Sequence, residues 1–166
     1  MRTGLLALAS IVLAIATPAA APAQSRSSAA FEKMKSLAGD WRARLEDGSI
    51  VDIGYEVTAN GSALLERIGA PGEAMVSIYH QDGDRLLMTH YCSVGNQPRM
   101  SATVPAGAVK TLTFTFLDVS NLASASASYM SGLTISFKDA NHVTAVWTNH
   151  EGGKDVPMTF ELERKK

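Results

Sequence analysis

The chain has 166 residues, with 15 Lys and Arg against 16 Asp and Glu, a net charge of −1. So even a balance excludes nucleic acid or an anionic membrane surface as the main partner, because no charge excess is available to drive association. Cys92 is the only cysteine, so no internal disulfide can form and apolar burial must carry the fold.

Residues 1–23 read as a signal peptide. Arg2 supplies the positive start, Leu5 to Ala16 the apolar stretch, and Thr17-Pro18-Ala19-Ala20-Ala21-Pro22-Ala23 a small-residue segment ending in an A-x-A cleavage pattern. About twelve apolar residues fall short of the roughly 20 that cross a bilayer, so no membrane span is expected. No cysteine follows the cleavage region to accept a lipid anchor. The expected product is exported, periplasmic or extracellular, and about 140 residues long, which suits one domain.

Residues 24–29 are small and polar and predict a flexible linker. Apolar residues at 30, 31, 34 and 37 have helical spacing, and Gly39 follows as a helix terminator. Beyond it the pattern changes to short β-branched and aromatic runs. Ten strands are predicted, over 40–46, 50–58, 63–69, 74–81, 85–94, 99–104, 111–117, 133–139, 142–150 and 155–164. Turn residues separate them, among them Asp47-Gly48, Asn60-Gly61, Asp82-Gly83, Gly95-Asn96 and Gly152-Gly153. The fold class is therefore all-β: an antiparallel up-and-down meander with a short N-terminal helix.

Register tests this reading. A turn at 151–154 sets Trp147 opposite Met158, Ala145 opposite Phe160 and Val143 opposite Leu162. A turn at 139–141 sets the same three residues opposite Leu133, Ile135 and Phe137. All nine share one face, while the other face is mostly Thr, Ser, Lys, Glu and His. The Asn60-Gly61 turn likewise matches Val57 with Leu64, Tyr55 with Glu66 and Ile53 with Ile68. Such a meander avoids open edges by closing into a barrel.

The helix leading into Gly39-Asp40-Trp41 resembles the opening of lipocalins and their calycin relatives. The resemblance implies a barrel whose base is plugged by Trp41 and covered by a late arginine, for which Arg164 is the counterpart. Ten strands resemble the fatty-acid-binding branch more than the eight-stranded one. A Thr-Asp-Tyr-like turn, the second lipocalin motif, is not evident. The segment 118–132, rich in Ser and Ala, breaks the strand rhythm and reads as a long connection, either a lid over the barrel mouth or a surface excursion.

The segment Thr89 to Met100 concentrates chemistry-bearing residues: His90, Tyr91, Cys92, Asn96, Gln97 and Arg99. Strand alternation divides them, with His90 and Cys92 on one face and Tyr91 on the other. Pairing Gly95 with Pro98 gives Tyr91 the more apolar neighbours, so Tyr91 is expected inside; a bulge at Gly95 would reverse this. Metal binding is not expected. With Asp82-Gly83 as the turn, His80 lies roughly 16 Å from His90, and His142 lies roughly 27 Å from His150. His90 and Cys92 alone do not complete a zinc site. No nucleophile elbow, phosphate loop or haem-attachment motif is present, and no cofactor is expected.

These readings predict a non-catalytic barrel binding a small, mostly apolar ligand. Tyr55, Glu66, Tyr91 and Trp147 are expected to line the cavity, with Asn96, Gln97 and Arg99 near its mouth. Glu66 is the unexpected member of that face, either at the rim or bound to Tyr55 or an arginine. The alternatives are an envelope interaction protein with a filled barrel, and an enzyme or haem carrier centred on His90 and Cys92.

Overall fold

A computed structural model describes residues 26–69 and 74–166, so the expected signal peptide and the first two linker residues lie outside the described residues. The rest of the expected linker is not a linker: it opens the helix α1 (Arg26–Lys35). The buried face of α1 is Ser27, Ala30, Phe31 and Met34, one turn longer than the apolar residues alone predict. Ser27 accounts for the extra turn. Its hydroxyl donates to the Gly83 carbonyl at 2.7 Å and accepts from Gln81 Nε2 at 3.0 Å. A serine held by a distant turn leaves no mark in apolar periodicity.

Ten strands follow: β1 (Gly39–Leu45), β2 (Ile50–Thr58), β3 (Ala63–Ile68), β4 (Met75–Asp82), β5 (Arg85–Tyr91), β6 (Gln97–Thr103), β7 (Thr111–Ser120), β8 (Tyr129–Phe137), β9 (His142–Glu151) and β10 (Lys154–Arg164). Each pairs antiparallel with its chain neighbours, and β1 also pairs with β10 to close the barrel. The predicted registers of β8, β9 and β10 hold, with Trp147 opposite both Leu133 and Met158. So does that of β2 and β3, with Tyr55 opposite Glu66.

The helix α1 covers one end, here the base. Ser27 reaches the Gly83 turn, the Lys35 ammonium donates to the Gly61 carbonyl, and that of Lys33 stands 4.7 Å from the Phe137 ring centroid. Trp41 is fully buried beneath it, and its indole Nε1 donates to the Leu37 carbonyl at 2.7 Å. Arg164 closes the same end, its guanidinium 4.2 Å from the Trp41 ring centroid. Its three nitrogens donate to the carbonyls of Ala38, Ser36 and Ala140 at 2.8, 2.8 and 3.1 Å. Gly39 has φ +120°, and a Cβ there would stand 3.1 Å from Arg164 Nη1. Glycine in the Gly39-Asp40-Trp41 segment thus leaves room for the arginine.

The opposite end is the mouth. The connection expected over 118–132 is shorter, because β7 runs to Ser120 and β8 starts at Tyr129. Residues 121–128 between them form bends and turns rather than a helix. The β7–β8 ladder stops at Thr115 and Gly132, and there a cleft of about 370 Å³ lies over the outer side of β7, β8 and β9, lined by Thr115, Phe116, Tyr129, Thr148 and His150.

Candidate functional site

Four neighbouring strands bring polar side chains to one level of an otherwise apolar interior. The registers set Tyr55 on β2 opposite Glu66 on β3, Glu66 opposite Ser77 on β4, and Ser77 opposite His90 on β5. All four are buried, as is Tyr79, the next inward residue of β4. The Tyr55 hydroxyl donates to Glu66 Oε1 at 2.6 Å and the Tyr79 hydroxyl to Oε2 at 2.7 Å. Ser77, opposite Glu66, lowers the carboxyl pKa through its hydroxyl, and its Oγ lies 3.0 Å from His90 Nδ1. The rung ends against Trp147, whose ring centroid is 4.8 Å from that of His90.

Burial sets the electrostatics here. It raises the Glu66 pKa, while the hydroxyls of Tyr55, Tyr79 and Ser77 pull it back. Burial, and then the Glu66 charge, push both tyrosines well above their ordinary value. Burial lowers His90 from 6.5 to about 4, so the imidazole is neutral at physiological pH. Among the described residues the buried polar and charged set is Ser27, Glu66, Ser77, His90 and Asn96, with no Lys or Arg.

Two buried side-chain atoms of the described residues have no hydrogen-bond partner, His90 Nε2 and Asn96 Oδ1. Asn96 sits at the mouth, where its amide nitrogen donates to the Ser128 carbonyl at 2.8 Å. Its backbone carbonyl accepts from Cys92 N at 3.1 Å, which pairs Asn96 with Cys92 across the neck of the β5–β6 hairpin. Cys92 is half-buried, one inward position above His90.

The expectation for Tyr91 is overturned. Tyr91 is 47% exposed and faces outward, while His90 faces the interior at 1%. The cause is the hairpin loop. Cys92 rather than Gly95 makes the closing pair, and Gly95 N donates to the Cys92 carbonyl with φ +88°. This is the bulge that reverses the faces. The preceding turn also differs, since Asp82 pairs with Arg85 and leaves Gly83 and Asp84 as the turn.

The other expected rim residues separate as well. Arg99 is exposed and forms an ion pair with Asp118 on the outer surface, away from the interior. Gln97 is half-buried and donates to the Gly95 carbonyl, shaping the loop rather than the cavity. Tyr55, Glu66, Trp147 and Asn96 are the expected residues that the fold brings to the interior and mouth. Ser77 and Tyr79 were missed. The signal for them was continuation of the Glu66 face across the next strand.

The histidines do not converge. His142 and His150 each contact an aspartate on the surface, Asp139 and Asp155, at 2.9 and 2.8 Å. Among the described residues no three His, Cys, Asp or Glu side chains are grouped so as to hold a metal ion. The rung is built to hold and orient: two tyrosine hydroxyls fix a carboxylate, and Ser77 holds the imidazole at the same level. The closed ten-stranded barrel is compatible with a calycin-like fold. No protein-family model matches the chain, and no curated protein matches it.

Proposed function

We propose that the chain is an exported, non-catalytic, calycin-like barrel that binds a small, mostly apolar ligand against the rung of Tyr55, Glu66, Ser77 and His90. The observation that carries this reading is His90 Nε2, which is buried and has no partner. Leaving such an atom unsatisfied costs about 1–3 kcal/mol, and a ligand group bound there would return it. Trp147 stands against His90, and Met88, Met100 and Phe114 make the same interior apolar. The N-terminal sequence supports export, and the Trp41–Arg164 closure supports the calycin likeness.

A second reading, a filled barrel that acts as an interaction or scaffold protein, is favoured by the complete burial of Tyr79, Met100 and Leu112. Native mass spectrometry of protein purified from its own host separates the two. A co-purified mass released on denaturation supports the carrier. A bare polypeptide mass from every preparation supports the filled barrel.

A further inference from the structure

We infer that the polar group of this ligand is a hydrogen-bond donor, a hydroxyl or amino head rather than a carboxylate. The inference rests on the binding reading above and names the class of molecule it would take.

Both unpartnered buried atoms present lone pairs. Asn96 is settled by its amide: Nδ2 donates to the Ser128 carbonyl, so the free atom, Oδ1, is an acceptor. His90 is settled through Ser77. The Ser77 hydroxyl has one proton; its Oγ lies 3.0 Å from His90 Nδ1, and Ser77 stands opposite Glu66, whose pKa it lowers. Glu66 accepts from the Tyr55 and Tyr79 hydroxyls, and a buried carboxylate takes every further donor in reach, here Ser77 opposite it. With its proton on Glu66, Ser77 Oγ can only accept from His90, which places the imidazole proton on Nδ1. Nε2 is then a bare acceptor, and burial keeps the ring neutral.

The spacing suits one head group or a short chain of atoms. Asn96 pairs with Cys92, and His90 lies two residues from Cys92 on the same face, about 7 Å along the strand. An incoming carboxylate would meet two acceptors and the Glu66 carboxyl, with no Lys or Arg buried among the described residues to receive it. An alcohol or amine meets the same atoms as partners.

Matched ligands test this at neutral pH and below their micelle concentrations, with binding followed by calorimetry and tryptophan fluorescence. 1-Decanol should bind at least about tenfold more tightly than decanoate, a difference of about 1.4 kcal/mol. His90→Phe should erase most of that preference. Decanoate binding as tightly as decanol, or more so, overturns the inference and leaves the binding reading standing. Binding of neither by the wild type overturns both.

Nitrogen NMR of histidine-labelled wild-type protein gives a readout that needs no variant and no ligand. A proton on Nδ1 and none on Nε2 supports the inference. A proton on Nε2 overturns it.

Discussion

Arg164 lies over Trp41 at 4.2 Å, joining the last strand to the first at the base of the barrel. The contact combines a cation over an indole with hydrogen bonds to three backbone carbonyls, two of them in the link between α1 and β1. Arg164→Ala should therefore cost about 2–4 kcal/mol. Arg164→Lys should recover little, because an ammonium cannot fork to separated carbonyls while stacking on the ring. Gly39→Ala should also destabilise, since its φ of +120° is unfavourable for a side chain and the added carbon meets the guanidinium. Chemical denaturation of the three variants checks the set. An Arg164→Lys protein as stable as the wild type would mean that the stacking and fork contribute nothing.

His90 gives the barrel an acid-sensitive element. Its pKa falls from 6.5 in the unfolded chain to about 4 in the folded protein, so the unfolded chain binds more protons between those values. Stability from the neutral ring is fully present above pH 6.5 and is lost as pH falls towards 4. The loss approaches about 3 kcal/mol at its limit. His90→Phe should flatten the midpoint-against-pH curve in that window. The surface carboxylates Asp118, Asp139 and Asp155 have lowered pKa values, so their contributions are lost at more acid pH. An unchanged slope between pH 6.5 and 4 in His90→Phe would refute a buried neutral imidazole.

Glu66 acts with the opposite sign. Its folded pKa is raised by burial, so the folded state holds that proton more tightly than the unfolded chain does. Its contribution falls as pH rises from the ordinary 4.5 through the raised folded value. Glu66→Gln should remove this term, yet its amide offers one oxygen acceptor to two tyrosine hydroxyls. One hydroxyl then faces the amide nitrogen, can accept from it, and loses the acceptor for its own proton, at about 1–3 kcal/mol. Adding Tyr55→Phe to Glu66→Gln should cost less than the two single changes summed. Strict additivity in that cycle would show that the 2.6 Å bond carries no coupling.

The legibility of this fold in its sequence varies strand by strand, for a physical reason. In β9 and β10 the inner residues Val143, Ala145, Trp147, Phe160 and Leu162 alternate with Thr144, Thr159 and Glu161, so only one register buries the apolar set. Tyr55 and Glu66 follow from the Asn60-Gly61 turn in the same way. In β4 and β5 both faces are apolar: Val76, Ile78 and Leu87 on one, Met75, Leu86 and Met88 on the other. Counting hydrophobic residues cannot choose between them. The choice rests on a three-residue loop, Ser93 to Gly95, in place of a two-residue turn at Asn96 and Gln97, which residue type alone does not reveal. Propagating the Glu66 face through Ser77 to His90 would have chosen correctly, because a buried carboxylate recruits polar neighbours.

The adjacent pair Tyr91 and Cys92 tests that orientation directly. Tyr91 is 47% exposed on the outer face, while Cys92 is half-buried above His90 on the inner one. Tyr91→Ser should shift stability by no more than about 0.5–1 kcal/mol and leave 1-decanol affinity unchanged. Tyr79→Phe, by contrast, takes a donor from buried Glu66 and should cost about 1–3 kcal/mol. Alkylation of Cys92 by iodoacetamide should proceed in the free protein and slow when the interior is occupied, since the reagent and ligand share the mouth. Loss of affinity in Tyr91→Ser, together with Cys92 labelling indifferent to ligand, would invert the face assignment. The recognition site would then move from the polar rung to the outer surface of β5.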